Sequence, residues 1–388
     1  MEYFNVSGLV GSTVNNHNKS KKILHIITGL GDGGAEGVLS RLCLYNDSSK
    51  HTVISLMGDG KYGPILRDGG VEVICLGLEQ SRFSLRAFLN LIKIIKKKQP
   101  DVVQTWMYHA DLIGGIAARL AGIKNIFWGV RTSDISSGSF STKLVARVCS
   151  ITSNIIPSKI ICCAESALQS HKKLGYSKEK LLVIQNGYDF QQFNCEKILP
   201  YKIASDYRVQ FGMVGRYAPQ KDHSNLIRAL KIVDESFKNW ECHLIGRGLD
   251  SENMELKSEI KACELEGKIF LDGQSDNMPK TMKLLDIHIL SSLIEGFPNV
   301  IAEAMACGVV CISTDVGDAK HIIGDTGWVV RPKASKSLAE AILDAVMNFN
   351  NTPEEWNRRR ELAKERVLNN FSLEKMIRAY NDAWFNKK

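Results

Sequence analysis

The stretch SSLIEGFPNVIAEAMACG, residues 291–308, sets two carboxylates, Glu295 and Glu303, eight positions apart across a loop and a helix. The apolar runs on either side, residues 284–290 and 309–313, are short and read as buried strands, so the unit is strand, loop, helix, strand. Pro298 suits the first turn of that helix and Gly308 its C-terminal stop. The unpaired amides of Asn299 and Val300 would then point out of the helix N-terminus, where the dipole favours an anion such as a phosphate. Glu303 lies one turn further in. A carboxylate only accepts hydrogen bonds, and from there it suits both hydroxyls of a vicinal diol such as a ribose. A lone glutamate on a helix is normally solvated. This helix is otherwise Val, Ile, Ala, Met and Cys, which predicts a buried carboxylate in need of a partner.

At 388 residues the chain exceeds what one core usually supports, so two domains are expected. Its composition, 44% hydrophobic and 24% charged, is that of an ordinary soluble protein. The ten cysteines form no C-x-x-C pair and no histidine cluster accompanies them. Neither a zinc site nor a disulfide framework is indicated, and a reducing cytoplasm is the expected location. The first twenty residues lack a basic start followed by an apolar core, and no stretch is long and apolar enough to span a bilayer. Charge is uneven: residues 1–200 hold 24 Lys and Arg against 15 Asp and Glu, or +9, leaving 26 against 27, or −1, for the rest. A basic first half implies an acidic partner, a membrane surface or a lipid-linked phosphate. Nucleic acid is not expected, because no basic stretch is interleaved with aromatics and no nucleic-acid motif is present.

Residues 1–20 read as a disordered tail and residues 22–28 as a first buried strand. The loop GLGDGG follows, with Gly33 and Gly34 just before a helix; this is either a phosphate-cradling loop or a plain tight turn. It lacks the G-x-G-x-x-G spacing with a later acidic residue that marks a dinucleotide site. Strands then alternate with helices, a rhythm that predicts a parallel α/β sheet. His109 follows the strand at 102–105 and Arg131 the strand at 125–130, both at strand C-terminal ends, where open α/β sheets bind ligands. Taken alone, a structural histidine and a surface ion pair remain open for these two. The turn QNGYD at 185–189 opens a polar linker through residue 205, after which the pattern restarts. Arg216 and Lys221 lie in the loop after the first strand of this second half and suit a pyrophosphate, solvated charges being the alternative.

Two tandem doubly wound domains with these loops resemble the GT-B fold, and the motifs resemble family 4 of the retaining glycosyltransferases, also called glycosyl transferases group 1. The likeness spans residues 21–388, and its most specific item is EGFPNVIAE at 295–303, similar to that family's E-x7-E motif. GDGGAE, VGRYAPQKD, QNGYD and FSLEKMIRAY support it. The resemblance implies an N-terminal acceptor domain at 21–195, a donor domain at 206–371, and a last helix at 372–388 crossing back to the first domain. It implies that Glu303 binds the ribose and Glu295 the donor sugar. Gly296, Phe297, Pro298, Asn299 and Val300 would line the donor, and Arg216 and Lys221 would neutralise the pyrophosphate. Gly33 and Gly34 would approach from the opposite domain, His109 would lie near the sugar, and Arg131 would sit on the acceptor side. No Asp-x-Asp occurs, so cations and helix dipoles are expected to take the place of a metal, with no further cofactor.

The expected activity is transfer of a sugar, with retention, from a nucleoside diphosphate sugar, UDP favoured over GDP, to a glycan or lipid-linked acceptor in surface polysaccharide assembly. A nucleotide-sugar 2-epimerase of related fold and an inactive nucleotide-sugar-binding protein are the alternatives. One further stretch, SLRAFLNLIKIIKKK at 84–98, carries an apolar stripe that reads as core packing, followed by Lys96, Lys97 and Lys98. Those lysines either complement the helix dipole or hold the basic half against an anionic membrane.

Overall fold

The computed structural model describes residues 20–78, 84–133, 139–193 and 207–386. In the first half the chain runs β1 (Lys21–Ile27), α1 (Gly34–Tyr45), β2 (Ser49–Ser55), α2 (Tyr62–Asp68), β3 (Glu72–Cys75) and α3 (Leu85–Lys98). It continues through β4 (Val102–Trp106), α4 (Tyr108–Leu120), β5 (Ile126–Val130), α5 (Phe140–Thr152), β6 (Lys159–Cys162), α6 (Glu165–Leu174) and β7 (Leu181–Val183). The second half begins β8 (Val209–Val214), α7 (His223–Ser236), β9 (Trp240–Ile245), α8 (Met254–Ala262), β10 (Ile269–Gly273) and α9 (Met278–Lys283). It then runs β11 (Ile287–Leu290), α10 (Asn299–Ala306), β12 (Val310–Thr314), α11 (Ala319–Ile323), β13 (Trp328–Val330), α12 (Ser335–Asn351), α13 (Pro353–Asn370) and α14 (Leu373–Phe385).

Strands such as β4, β5, β11 and β12 are buried along their whole length, as expected for a parallel sheet covered by helices on both faces. The first sheet has the order β3-β2-β1-β4-β5-β6-β7 and the second β10-β9-β8-β11-β12-β13. In each, strand order reverses once, between β1 and β4 and between β8 and β11. The C-terminal ends of strands at such a reversal are where an open α/β sheet leaves a crevice. The glycine loop after β1, the Arg216 loop after β8 and the Glu295 loop after β11 all leave from those ends. The architecture is the pair of doubly wound units that the sequence resemblance implies.

The two halves are tied together at a crossing of chains. Tyr188 N donates to Phe371 O (3.0 Å) and Leu373 N to Tyr188 O (3.0 Å), so the QNGYD segment clasps the turn where the chain leaves α13 for α14. Ser372 caps α14 by accepting from Lys375 N. The helix then lies on the first half with Met376, Tyr380 and Trp384 buried, the four-residue stripe visible in the sequence. Tyr380 stacks on Trp106 (6.1 Å between ring centroids), and Trp384 meets His25 edge-on at 5.9 Å.

The structure divides the apolar stripe of α3 rather than burying it as one face. Leu91 and Ile95 are buried, whereas Leu85 and Leu89 are 63% and 50% exposed. Lys98, read as a candidate for membrane contact, forms an ion pair with Glu72 at 2.5 Å. The short strand β13 left no periodic signal, being three residues long. The 1–20 tail, apart from residue 20, and residues 194–206 of the linker lie outside the described residues.

Candidate active site

The second half supplies one wall of a cleft of about 750 Å³, built from the loops after β8, β9, β10 and β11 and the start of α10. After β11 the backbone turns through Ser291 and Ser292, both buried, and Ser291 Oγ donates to the carbonyls of Lys221 and Asp222 (3.0 and 2.9 Å), binding the two site loops together. Glu295 Oε1 accepts from Lys221 Nζ and from Ser292 Oγ, both at 2.7 Å, in a pair whose side chains are only 15% and 16% exposed. The sequence reading kept Glu295 and Lys221 for different parts of a ligand; the structure places them in one ion pair. Behind Lys221, burial and the lysine's charge lower the pKa of His223 to about 4 and of His288 to about 3, so both imidazoles are neutral.

α10 starts after Pro298 and ends at Ala306, with Gly308 in the left-handed region (φ 70°), as its place after the helix requires. The loop after β12 braces the site from below. A side chain at Gly317 (φ 55°) would collide with the Gly296 carbonyl, which itself accepts from Asp318 N at 3.0 Å. Glu303 lines the cleft one turn into α10. Burial raises its carboxyl above the ordinary value and the Arg41 guanidinium opposes that rise. Among the described residues no protein group hydrogen-bonds to it, so the partner the sequence demanded is, within the protein, a charge and not a bond.

The first half supplies the facing wall. Gly33 and Gly34 sit at the N-terminus of α1, and a Cβ added to Gly34 would lie 3.3 Å from Asn299 Nδ2 at the N-terminus of α10. Two helix N-termini therefore converge from opposite domains, and the positive ends of both dipoles face one space. Glu36 folds back over Gly33 into that space, and burial, the largest cause, raises its carboxyl while Arg131 pulls it down. Arg131 leaves the end of β5, lies over the Trp106 ring (5.3 Å) and donates to Asn186 Oδ1. Asn186 in turn donates to Asn299 Oδ1 at 2.8 Å, and Tyr188 OH donates to the same oxygen. The QNGYD segment, read as a linker, is thus part of the site wall. Further ties cross the cleft: Ser133 Oγ donates to the Glu295 carbonyl, and Asp318 accepts from the backbone amides of Glu165 and Ser166 (3.1 and 3.3 Å) at the start of α6.

Glu295, Glu303, Arg216, Lys221, Gly33, Gly34, Gly296, Asn299 and Val300 all line the main cleft; Phe297, Pro298 and Arg131 line the pocket that continues from it. His109 does not line either. Met107, at φ 69°, turns the chain out of β4 and faces the pocket, whereas His109 is two residues further on, about 200° round the helix axis. It is half-buried, and that burial lowers its pKa. Sequence reasoning missed Arg41, Lys61 and Arg247, which line the cleft, and Glu36, in the adjoining pocket. A signal existed for two of these: Glu36 ends GDGGAE and Arg247 sits in GRG after β9. Arg41 offered none, since its role depends on the closure of the two halves.

The model of the family described as Glycosyltransferase Family 4 matches residues 32–192, and that of Glycosyl transferases group 1 matches residues 202–364. The chain belongs to the family 4, group 1 glycosyltransferases. This glycosyltransferase is 26% identical over 339 residues, 81% of its length and 83% of the relative's, to UDP-Gal:alpha-D-GlcNAc-diphosphoundecaprenol alpha-1,3-galactosyltransferase of Escherichia coli. It is 25% identical over 269 residues to the capsular polysaccharide biosynthesis glycosyltransferase CapM of Staphylococcus aureus, covering 66% of its own length and 70% of CapM. Its fold matches Anabaena Alr3699/HepE in complex with UDP and glucose, with a TM-score of 0.80 at 20% identity, over 95% of this chain and 100% of that one. The GT-B fold and nucleotide-sugar glycosyltransferase activity follow for this chain. None of its described helices is long and apolar enough to cross a membrane.

Proposed function

We propose that this glycosyltransferase moves a sugar from a UDP-sugar to a lipid-linked saccharide, with retention and without a metal ion, at the cytoplasmic face of a membrane. The carrying observation is the part-buried Glu303 carboxylate, without a protein hydrogen-bond partner among the described residues, one turn inside a helix N-terminus that meets a second one. That is a site for a diol beside a diphosphate. Arg216, Lys221 and the amides of Asn299 and Val300 would hold the diphosphate and take up charge as the nucleotide leaves. Glu295, held by Lys221 and Ser292, would accept from sugar hydroxyls with its second oxygen. UDP and the lipid-linked acceptor are supported by the names of relatives: HepE is complexed with UDP, and the E. coli enzyme acts on a diphosphoundecaprenol-linked sugar.

Retention is supported by Glu295, held by Lys221 and Ser292 in the cleft, and by His223 and His288, which line neither pocket and whose lowered pKa values make them weak bases; the departing phosphate is left as acceptor of the proton on the same face. His109, which lines neither pocket, carries no role in the proposal. A thermal-shift screen of UDP- and GDP-sugars identifies the donor, because a ligand that binds the folded state raises the melting temperature. Proton NMR of the product then reads the anomer; an inverted linkage would overturn the retaining reading. Transfer is expected to continue in EDTA, since Arg216, Lys221 and two helix N-termini supply the positive charge. Loss that added Mg²⁺ or Mn²⁺ restores would show that the charge is supplied by a metal.

A further inference from the structure

α5 presents an unusual outer face. Its inward residues, Ala146, Cys149 and Ser150, are buried. On the opposite side Phe140 is 83% exposed, Leu144 56% and Ile151 74%, and Ile155 just beyond the helix is 75% exposed. Positions 140, 144 and 151 fall on one line of the helix surface, with Arg147 on the same line and Lys143 beside it, both exposed. Water-facing helices put polar residues there, and exposed apolar side chains normally occur singly. α4 lies against α5, and its Leu120 is 59% exposed. Residues 112–164 contain one acid, Asp134, against the cations Arg119, Lys124, Arg131, Lys143, Arg147 and Lys159.

We infer that this ridge docks the protein on an anionic lipid bilayer, with Phe140, Leu144, Ile151 and Ile155 entering the interface and Lys143 and Arg147 meeting lipid phosphates. Charge selects this occupant. A helix whose apolar stripe is accompanied by Lys143 and Arg147 and by no acid of its own has the pattern of one lying in a membrane interface. A two-fold pairing of α5 with itself would set Lys143 and Arg147 against the same cations of a second copy, which is unfavourable. The surface is distinct from Lys96, Lys97 and Lys98 of α3. Its use in catalysis rests on the lipid-linked acceptor proposed above, but the docking is read out with no acceptor present.

The test is co-sedimentation of the full chain with phosphatidylcholine vesicles, with and without phosphatidylglycerol. The parent is expected to bind only the anionic vesicles, less so in high salt. Phe140→Ser with Ile151→Ser, and separately Lys143→Gln with Arg147→Gln, are each expected to weaken partitioning by about thirtyfold while the circular-dichroism melt stays unchanged. Three results would overturn the inference: no binding of the parent to anionic vesicles, binding that both α5 variants leave intact while Lys96, Lys97 and Lys98→Gln abolish it, or a dimer in solution that Phe140→Ser dissolves.

Discussion

Lys221→Ala is expected to lower turnover of the sugar donor by about a thousandfold. Removing one preorganised donor from developing charge costs on the order of a hundred- to a thousandfold in kcat. Here the substitution also leaves Glu295, 15% exposed, without its 2.7 Å partner. The unpaired carboxylate would add repulsion against the diphosphate and destabilise the fold, approaching the roughly 3 kcal/mol seen when one member of a buried pair is removed. The two effects separate in a double variant. Lys221→Ala with Glu295→Gln should recover most of the stability, measured by urea unfolding, and none of the turnover. If Lys221→Ala turned over donor at the parental rate, the assignment of the leaving-group charge to this lysine would be lost.

Glu303→Gln is expected to weaken donor affinity by about ten- to a hundredfold, the value of charge-assisted hydrogen bonds worth roughly 1.5–3 kcal/mol. Unlike that of Glu295, the Glu303 carboxylate has no hydrogen bond to the protein among the described residues, so its replacement should leave the unliganded protein as stable as before or more so. The sign with pH follows from its raised pKa. A carboxyl whose folded pKa lies above the unfolded value favours the folded state most at low pH, and that contribution falls as pH rises through the raised value. Donor binding runs the other way. It needs the ionised form, so affinity should drop on acidification at a pH above the ordinary glutamate range, and Glu303→Gln should flatten that dependence. Calorimetric titration of UDP at several pH values checks both; a variant with parental affinity and parental pH dependence would remove Glu303 from the donor site.

Much of this was readable before any coordinates, and the reasons are local. The E-x7-E segment carried strand, turn, proline and glycine signals at fixed spacing, so α10 and both carboxylates fell where expected. The alternation of apolar runs with helices gave both parallel sheets, because strands covered on two faces have no polar positions to blur the pattern. What could not be read was anything set by the meeting of the halves. Asn186 looked like turn chemistry and is a bridge between Arg131 and Asn299. Arg41 gave no signal in the sequence and faces Glu303. His109 failed for a finer reason: being at the right strand end does not fix which way round the helix a side chain is turned, and the left-handed Met107 took the pocket-facing place.

The contact of Asp318 with α6 has a consequence for motion. A helix is ordinarily capped by a residue just ahead of its first turn, but α6 follows Ala164, and its first amides are satisfied by a carboxylate from the other domain. Parting the domains by more than a hydrogen-bond length therefore exposes a raw helix end in one domain and a bare buried acid in the other. A lost cap is worth about 1 kcal/mol, or roughly a fivefold change in an equilibrium. Asp318 therefore adds a penalty of that size to any separation of the two halves, beside the ties made by Ser133, Asn186 and Tyr188.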